Sequence, residues 1–286
     1  MVKLEKITTT YPKFSSQKEN KILYTNHNED ISIKYKSTYT LKFVLEGHKQ
    51  YQLGNENIKV LKNQYLILNG NESIQTEAKK GTKGLSFFLS PKLINEIYKY
   101  HSKNNSQSIP LKFYECTQMK SDNGVGVWLD KMTHLLVKNT FILNHHIDDC
   151  FIKLSEEIVK EHLAINDNFR ELNIIKYDTK KALYKFISQT KEYLNDNCSE
   201  KISLDTISQT IGVSKYYLHR VFNEINGCTP LEYLTSIRLE KAKNKLLFSK
   251  KPIFEIAIEC GFDNISYFST VFKKQIGCSP SEYRVK

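Results

Sequence analysis

No apolar run in this sequence approaches the roughly 20 residues that a helix needs to cross a bilayer, which leaves no candidate membrane span. The opening residues, MVKLEKITTTYPKF, lack the apolar stretch of a signal peptide, so a cytoplasmic location is expected. Six cysteines (Cys116, Cys150, Cys198, Cys228, Cys260 and Cys278) include no C-x-x-C pair, so neither a disulfide framework nor a zinc site is signalled, and they read as reduced thiols. Histidine is sparse where a metal-dependent barrel enzyme needs it. The strand-rich segment holds only His27 and His48, whereas such enzymes cluster His and Glu on neighbouring strands. His145, His146, Asp148, Asp149 and Cys150 could bind a transition metal, but a solvated first helical turn with capping acids is the commoner use of such residues. No catalytic residue, metal or cofactor is assigned.

What is present starts with length and charge. A chain of 286 residues has room for two domains, since single domains cluster near roughly 100 to 200 residues. The net charge of +11 suits a polyanionic partner, because Lys and Arg displace condensed counterions from nucleic acid. It does not locate the binding half: residues 183–286 hold 15 Lys and Arg against 11 Asp and Glu, so +7 of the charge lies on residues 1–182.

Between residues 21 and 90 the short runs ISIKY, TLKFVL, KQYQLG, NIKVL, QYLIL, ESIQT and GLSFFLS alternate with turn signals such as Glu46-Gly47, Gly54-Asn55 and Asn69-Gly70-Asn71. Short β-branched and aromatic runs at this spacing predict an antiparallel barrel or sandwich. From Pro91 the period becomes helical, with Leu93, Ile94, Ile97 and Tyr98 on one stripe, then Trp128, Leu129, Met132, Leu135 and Leu136, then Ile147, Phe151, Leu154, Ile158 and Leu163. The expected organisation is an α+β domain over 1–165, a linker over 166–175 and an all-α domain over 176–286. Tyr39, Phe43, Tyr51, Tyr65 and Phe87 line a pocket or fill the barrel, and core is the preferred reading for most of them.

The all-α part repeats itself, and this is the most informative feature of the chain. Tyr217, Val221, Phe222, Gly227, Cys228, Pro230, Glu232 and Tyr233 match Tyr267, Val271, Phe272, Gly277, Cys278, Pro280, Glu282 and Tyr283 identically, 50 residues apart. Upstream, LDTISQTIGV matches IFEIAIECGF at an offset of 49, aligning Gly212 with Gly261 and Ser208 with Ala257. Each copy reads as helix, Gly-containing turn and helix, the layout of a helix-turn-helix. In the second helices Tyr217, Leu218, Val221 and Phe222, and Tyr267, Phe268, Val271 and Phe272, are expected to be buried. The opposite faces carry Lys215, Tyr216, His219 and Arg220, and Ser266, Ser269, Thr270 and Lys273, side chains that can bond base edges and phosphates in a major groove. Between the copies, Thr229-Pro230-Leu231-Glu232 reads as an N-cap, a Pro at the first helical position and a Glu at the third. The helix it starts is expected to reach Phe248, about 28 Å, close to one turn of B-DNA.

The run SKYYLHRVFNEINGCTPLEYLTSIRLEKAKNKLL followed by IFEIAIECGFDNISYFSTVFKKQIGCSPSEYR resembles the AraC/XylS family of transcription regulators over residues 183–286. That resemblance implies contacts to duplex DNA from Tyr216, His219 and Arg220 in the first recognition helix. In the second it implies Asn264, Ile265, Ser266, Ser269 and Thr270, with Lys273 near phosphate. Thr270 stands where many members have Arg and Ile265 is apolar where polar residues are frequent, so the first helix is expected to dominate specificity. More loosely, LKFVLEGHKQYQLGNENIKVLKNQYLILNGNESIQTEA resembles the family's cupin-like effector-sensing barrel. It implies an effector pocket inside the barrel and a dimerisation surface on the helices near 123–138 and 146–164.

The expected protein is therefore a two-domain regulator that is not an enzyme. It binds double-stranded DNA, acts as an activator through RNA polymerase by resemblance, forms a homodimer and responds to a small-molecule effector. Two alternatives stay open: a barrel that only dimerises or binds a protein, and an enzyme with an appended DNA-binding module. Some members carry a repair alkyltransferase, but that needs a zinc-bound cysteine cluster and a reactive Cys beside a His, and no cysteine here has that neighbour. Cys228 and Cys278 precede Pro by two residues, where a small side chain suffices.

Overall fold

The computed structural model describes residues 2–7, 19–36, 38–70, 72–102, 111–120, 124–137 and 144–285. Packing divides the chain into two units, Met1–Ser188 and Gln189–Lys286.

Among the described residues the first unit begins with nine strands: β1 (Lys3–Ile7), β2 (Lys21–Asn26), β3 (Ile31–Lys36), β4 (Tyr39–Glu46), β5 (His48–Leu53), β6 (Glu56–Leu61), β7 (Gln64–Leu68), β8 (Ser73–Ala78) and β9 (Lys83–Leu89). Helix α1 (Pro91–His101), strand β10 (Thr117–Met119) and helices α2 (Gly124–Val137) and α3 (Asn144–Glu171) follow. All seven apolar runs noted in the sequence became strands, β3 to β9. The strands pair as two sheets, β1-β2-β9-β4-β7-β10 and β3-β8-β5-β6, and among the described residues no ladder joins them, so the expected barrel is here a two-sheet stack. β1 pairs with β2 in parallel, an arrangement no local turn signal announces.

Alternation along β4 decides what faces what. Tyr39, Leu41 and Phe43 join Ile22, Tyr65, Leu85, Phe87 and Leu89 in a core with Ile94, Leu129, Met132, Phe151, Leu154 and Ile158 of the helices. Val44 points the other way, into a second cluster with Tyr51, Leu53, Val60, Leu66, Leu68 and Ile74 between the sheets. The five aromatics left open by the sequence are all buried. Tyr39, Phe43, Tyr65 and Phe87 pack beneath the helices, and Tyr51 lies between the sheets.

The segment expected as a linker is largely ordered structure. α3 continues to Glu171, because Phe169 is fully buried and meets Tyr114 edge-on at 5.7 Å. The next helix, α4 (Tyr177–Asp196), has its first half held to the first unit: Tyr177 donates to the Phe113 carbonyl at 2.8 Å and Lys181 reaches Glu56 at 3.0 Å. The division therefore falls inside α4, at Ser188/Gln189, rather than before residue 176.

The second unit holds the rest of α4 and α5 (Leu204–Ile211), α6 (Lys215–Asn226), α7 (Pro230–Phe248), α8 (Ile253–Glu259), α9 (Ile265–Ile276) and α10 (Pro280–Val285). Leu239, Ala242 and Leu246 of α7 pack with Ile256, Ala257, Cys260, Phe262, Phe268 and Phe272 as its core. α7 ends at Phe248, as its sequence predicted.

Candidate nucleic-acid interface

Each copy of the repeat builds its second helix from the same parts. Ser214 caps α6 by accepting the Tyr217 N–H at 3.2 Å, and Asn264 caps α9 by accepting the Tyr267 N–H at 2.9 Å. Gly227 and Gly277 end the two helices in the left-handed conformation, φ 69° and 87°. The buried stripes are Leu218, Val221, Phe222 and Ile225 in α6, and Phe268 and Phe272 in α9. Beyond each helix, Thr229 and Glu232, and Ser279 and Glu282, bond each other's backbone N–H reciprocally, a capping box at the same place in both copies. The Thr229 N–H holds the Glu232 carboxyl below the usual range.

The turn inside each copy needs a glycine for different reasons. Gly212, at φ +79°, has open space around its α-carbon. Gly261, at φ +88°, would place a β-carbon 2.6 Å from the Cys198 carbonyl oxygen and 2.8 Å from Arg238 Nε. Arg238 fills that space by donating to the Cys198 and Glu200 carbonyls, each at 2.7 Å.

The faces left outward are those the repeat pointed to, with corrections at the edges of the stripes. Lys215, Tyr216, His219 and Arg220 are all exposed, Tyr216 by 79%. Asn264, Ile265, Ser266, Thr270 and Lys273 are exposed as well, and Ser269 is half-buried. Tyr217 and Tyr267, expected in the buried stripes, are 38% and 54% exposed, and Val271 is only half-buried. A helix turns 100° per residue, so the residue before Leu218 or Phe268 falls at the edge of the stripe, and the tyrosines lean toward the outward face. Lys274, beside Lys273 and also exposed, was likewise not singled out in the sequence.

The electrostatics of the two faces differ. Lys215 pairs with Asp205 of α5 at 3.1 Å, which raises its pKa, and Arg220 pairs with Glu224 at 3.5 Å. These are exposed, solvent-screened pairs, weak enough to be exchanged for other partners. In α9 the cations come last, Lys273 and Lys274 in the final turn, while the first turns carry Ile265, Ser266, Ser269 and Thr270. Thr270 donates to the Ser266 carbonyl at 2.9 Å, and Asn264 Oδ1 is occupied by its cap, leaving its amide group to reach outward.

Among the described residues no group of three His, Cys, Asp or Glu is placed to hold a metal; the side chains of His145 and His146 lie outside the described residues. All six cysteines are free thiols, Cys228 and Cys278 half-buried. Among the described residues no helix is long and apolar enough to cross a membrane.

A family model described as a helix-turn-helix domain matches residues 207–286. The bifunctional transcriptional activator/DNA repair enzyme AdaA of Bacillus subtilis (strain 168) is 34% identical over 122 residues, covering 42% of this chain and 58% of its own. The HTH-type transcriptional activator RhaS of Enterobacter sp. (strain 638) is 34% identical over 98 residues, 34% of this chain and 35% of its own. The chain thus spans about half or less of these curated relatives' length. Among solved structures, the C-terminal domain of AraT, a response regulator from Geobacillus stearothermophilus, matches at 37% identity over 35% of this chain and 83% of that one, with a TM-score of 0.34. The DNA-binding domain of AdpA in complex with a target DNA matches at 25% identity over 35% of this chain and 89% of that one, also with a TM-score of 0.34.

Proposed function

We infer, from a C-terminal domain that belongs to the AraC/XylS family of transcription regulators, that this chain is a sequence-specific DNA-binding regulator which activates transcription in response to a small molecule. The observation that carries the reading is the doubled helix-turn-helix: two capped helices with outward polar faces, joined by the 19-residue α7. At 1.5 Å per residue α7 is about 28 Å long, so α6 and α9 can enter successive major grooves on one side of the duplex.

In this reading Lys215, Tyr216, His219 and Arg220 are the principal contacts, with Arg220 suited to a guanine edge. Asn264, Ile265, Ser266, Ser269 and Thr270 contribute lesser contacts, Ile265 against a thymine methyl, and Lys273 binds phosphate. RhaS and AdaA are both described as transcriptional activators, which supports activation, with RNA polymerase as the protein partner. AdaA is also described as a DNA repair enzyme. The family match here lies in the helix-turn-helix part, so the regulatory half of that description is the one carried over. The two-sheet first unit serves as a cupin-like sensor and a homodimer forms through its helices, supported by the order of strands followed by helices.

The test is selection of bound duplexes from a genomic DNA library at two salt concentrations, with Arg220→Ala alongside. A discrete motif with two half-sites about one helical turn apart, lost in the variant, is the expected result. Retention that ignores sequence and vanishes with salt would reject the reading.

A further inference from the structure

Aligned on the repeat, the two outward helices carry charges of opposite sign at one position, Glu224 of α6 against Lys274 of α9. Both are exposed. Glu224 is the sole acid of α6, and α9 has none. Each residue lies in the last turn of its helix, where the helix dipole favours a cation and disfavours an anion. Lys274 therefore suits the end of α9, and Glu224 opposes the end of α6. On a face that is to meet a polyanion, an acid is unfavourable a second time. Neither helix stability nor attraction to duplex accounts for Glu224.

Its neighbour Arg220 does. The two lie one turn apart on the same face, with both carboxylate oxygens 3.5 Å from Arg220 Nη1. The arginine side chain is 64% exposed and the glutamate 31%, so the acid sits behind and the guanidinium in front. Among the described residues the contacts to Glu224 run from Nη1 alone, which leaves Nη2 and Nε to meet a guanine edge, a partner that takes arginine through two donors. Turning to a phosphate instead would carry the guanidinium off its carboxylate and bring that carboxylate beside a second anion. The second copy has no such arrangement: Thr270 stands in place of Arg220 and donates to the Ser266 carbonyl.

We propose that Glu224 is a specificity-determining residue, which positions the Arg220 guanidinium toward base edges and repels the phosphates of duplex that lacks the matching base. This rests on the regulator reading and adds to it a repulsive element, acting through discrimination between duplexes and not through affinity. In the matching complex Arg220 keeps its carboxylate and gains a guanine. On any other sequence it has to give up the one without gaining the other.

The test uses the full purified chain with two duplexes of equal length, one carrying the selected motif and one its shuffled sequence, titrated at several salt concentrations. Glu224→Gln should bind the shuffled duplex more tightly and lower the ratio of motif to shuffled affinity about fivefold, the lower end of what one bidentate base contact is worth. Glu224→Lys should lower it further and steepen the salt slope by about 1. In a base-pair scan, Glu224→Gln should flatten preference at the base pair that Arg220→Ala flattens and at no other. Within an Arg220→Ala background it should leave base preference as it is and still strengthen shuffled binding, through lost repulsion. The melting temperature of Glu224→Gln should match the parent's, because an exposed pair adds little and the helix end disfavours the anion. An unchanged ratio, flattening at another base pair, or a parallel loss of both affinities with a lower melting temperature would overturn the proposal. A parent chain that selects no motif rejects the regulator reading and this one with it; a selected motif whose discrimination ignores Glu224 rejects this proposal alone.

Discussion

Phe222 against Tyr233 in the first helix-turn-helix and Phe272 against Tyr283 in the second are the same contact made twice, with ring centroids 5.6 and 5.5 Å apart. Their capping boxes correspond as well, Thr229 with Glu232 and Ser279 with Glu282. Outward, the copies part company. The first presents Lys215, Tyr216, His219 and Arg220 in its first two turns, whereas the second presents Ile265, Ser266, Ser269 and Thr270 there and holds Lys273 and Lys274 until its last turn. The opening residues of a recognition helix meet the base edges. On the proposed reading the difference implies a division of labour, in which α6 reads most of the sequence and α9 mainly holds the backbone.

The largest expected effect breaks the comparison at the inner turns. Gly261→Ala puts a residue with a β-carbon at positive φ, costing about 1–2 kcal/mol, and displaces Arg238 from two carbonyls at about 1 kcal/mol each. Gly212→Ala meets open space and incurs only the first cost. Chemical denaturation of the two variants should show a loss of about 3 kcal/mol for Gly261→Ala and about 1 for Gly212→Ala; equal losses would mean that the contact with Cys198 and Arg238 does not constrain the turn.

Arg220→Ala should weaken binding to a selected site by about 1–3 kcal/mol and relax preference at one base pair. Thr270→Ala at the matching position should cost less than about 1 kcal/mol, since its hydroxyl already bonds within the helix. Lys273→Ala should weaken all sequences alike and lower the salt slope by about 1. Titrations of these variants at several salt concentrations separate the two roles.

A smaller contrast lies in the caps. Thr229→Ala should lose about 1 kcal/mol of stability, because it starts the 19-residue α7. Ser279→Ala should lose less, starting only the six residues of α10. Thermal melts of the pair test the ranking.

The smallest effect is a pH dependence from Glu259, which has no acidic counterpart in the first copy. Ion pairs with Lys245 and Lys251 hold the Glu259 carboxyl down to about 2; the equivalent residue in the first copy is Thr210. A folded pKa below the unfolded value adds stability that is present above about 4.5 and lost as pH falls from there toward 2. Glu259→Gln should flatten that part of the acid-stability curve slightly, and Thr210→Ala should leave its shape unchanged.

How much of this was legible follows the range of the interactions. The helices of the second unit could be read from Thr229-Pro230-Glu232 and from the turn glycines Gly212 and Gly261, because caps and turns are local chemistry, and the repeat set each copy beside the other. Tyr217 and Tyr267 were misplaced because a stripe drawn by spacing says nothing of its edges, which depend on the neighbouring helix. In the first unit the strands were legible from alternation, but their division into two sheets, the parallel pairing of β1 with β2 and the helical stretch 166–171 depend on distant partners such as Tyr114 against Phe169.

The measurement that tests the division of labour most directly is a base-pair substitution scan across a selected site, read as binding free energy for the full chain at fixed salt. The account predicts losses of about 1–3 kcal/mol per substitution within the sub-site of α6, with much shallower losses one helical turn away under α9. Equal sensitivity in the two sub-sites, or the steeper profile under α9, would contradict it.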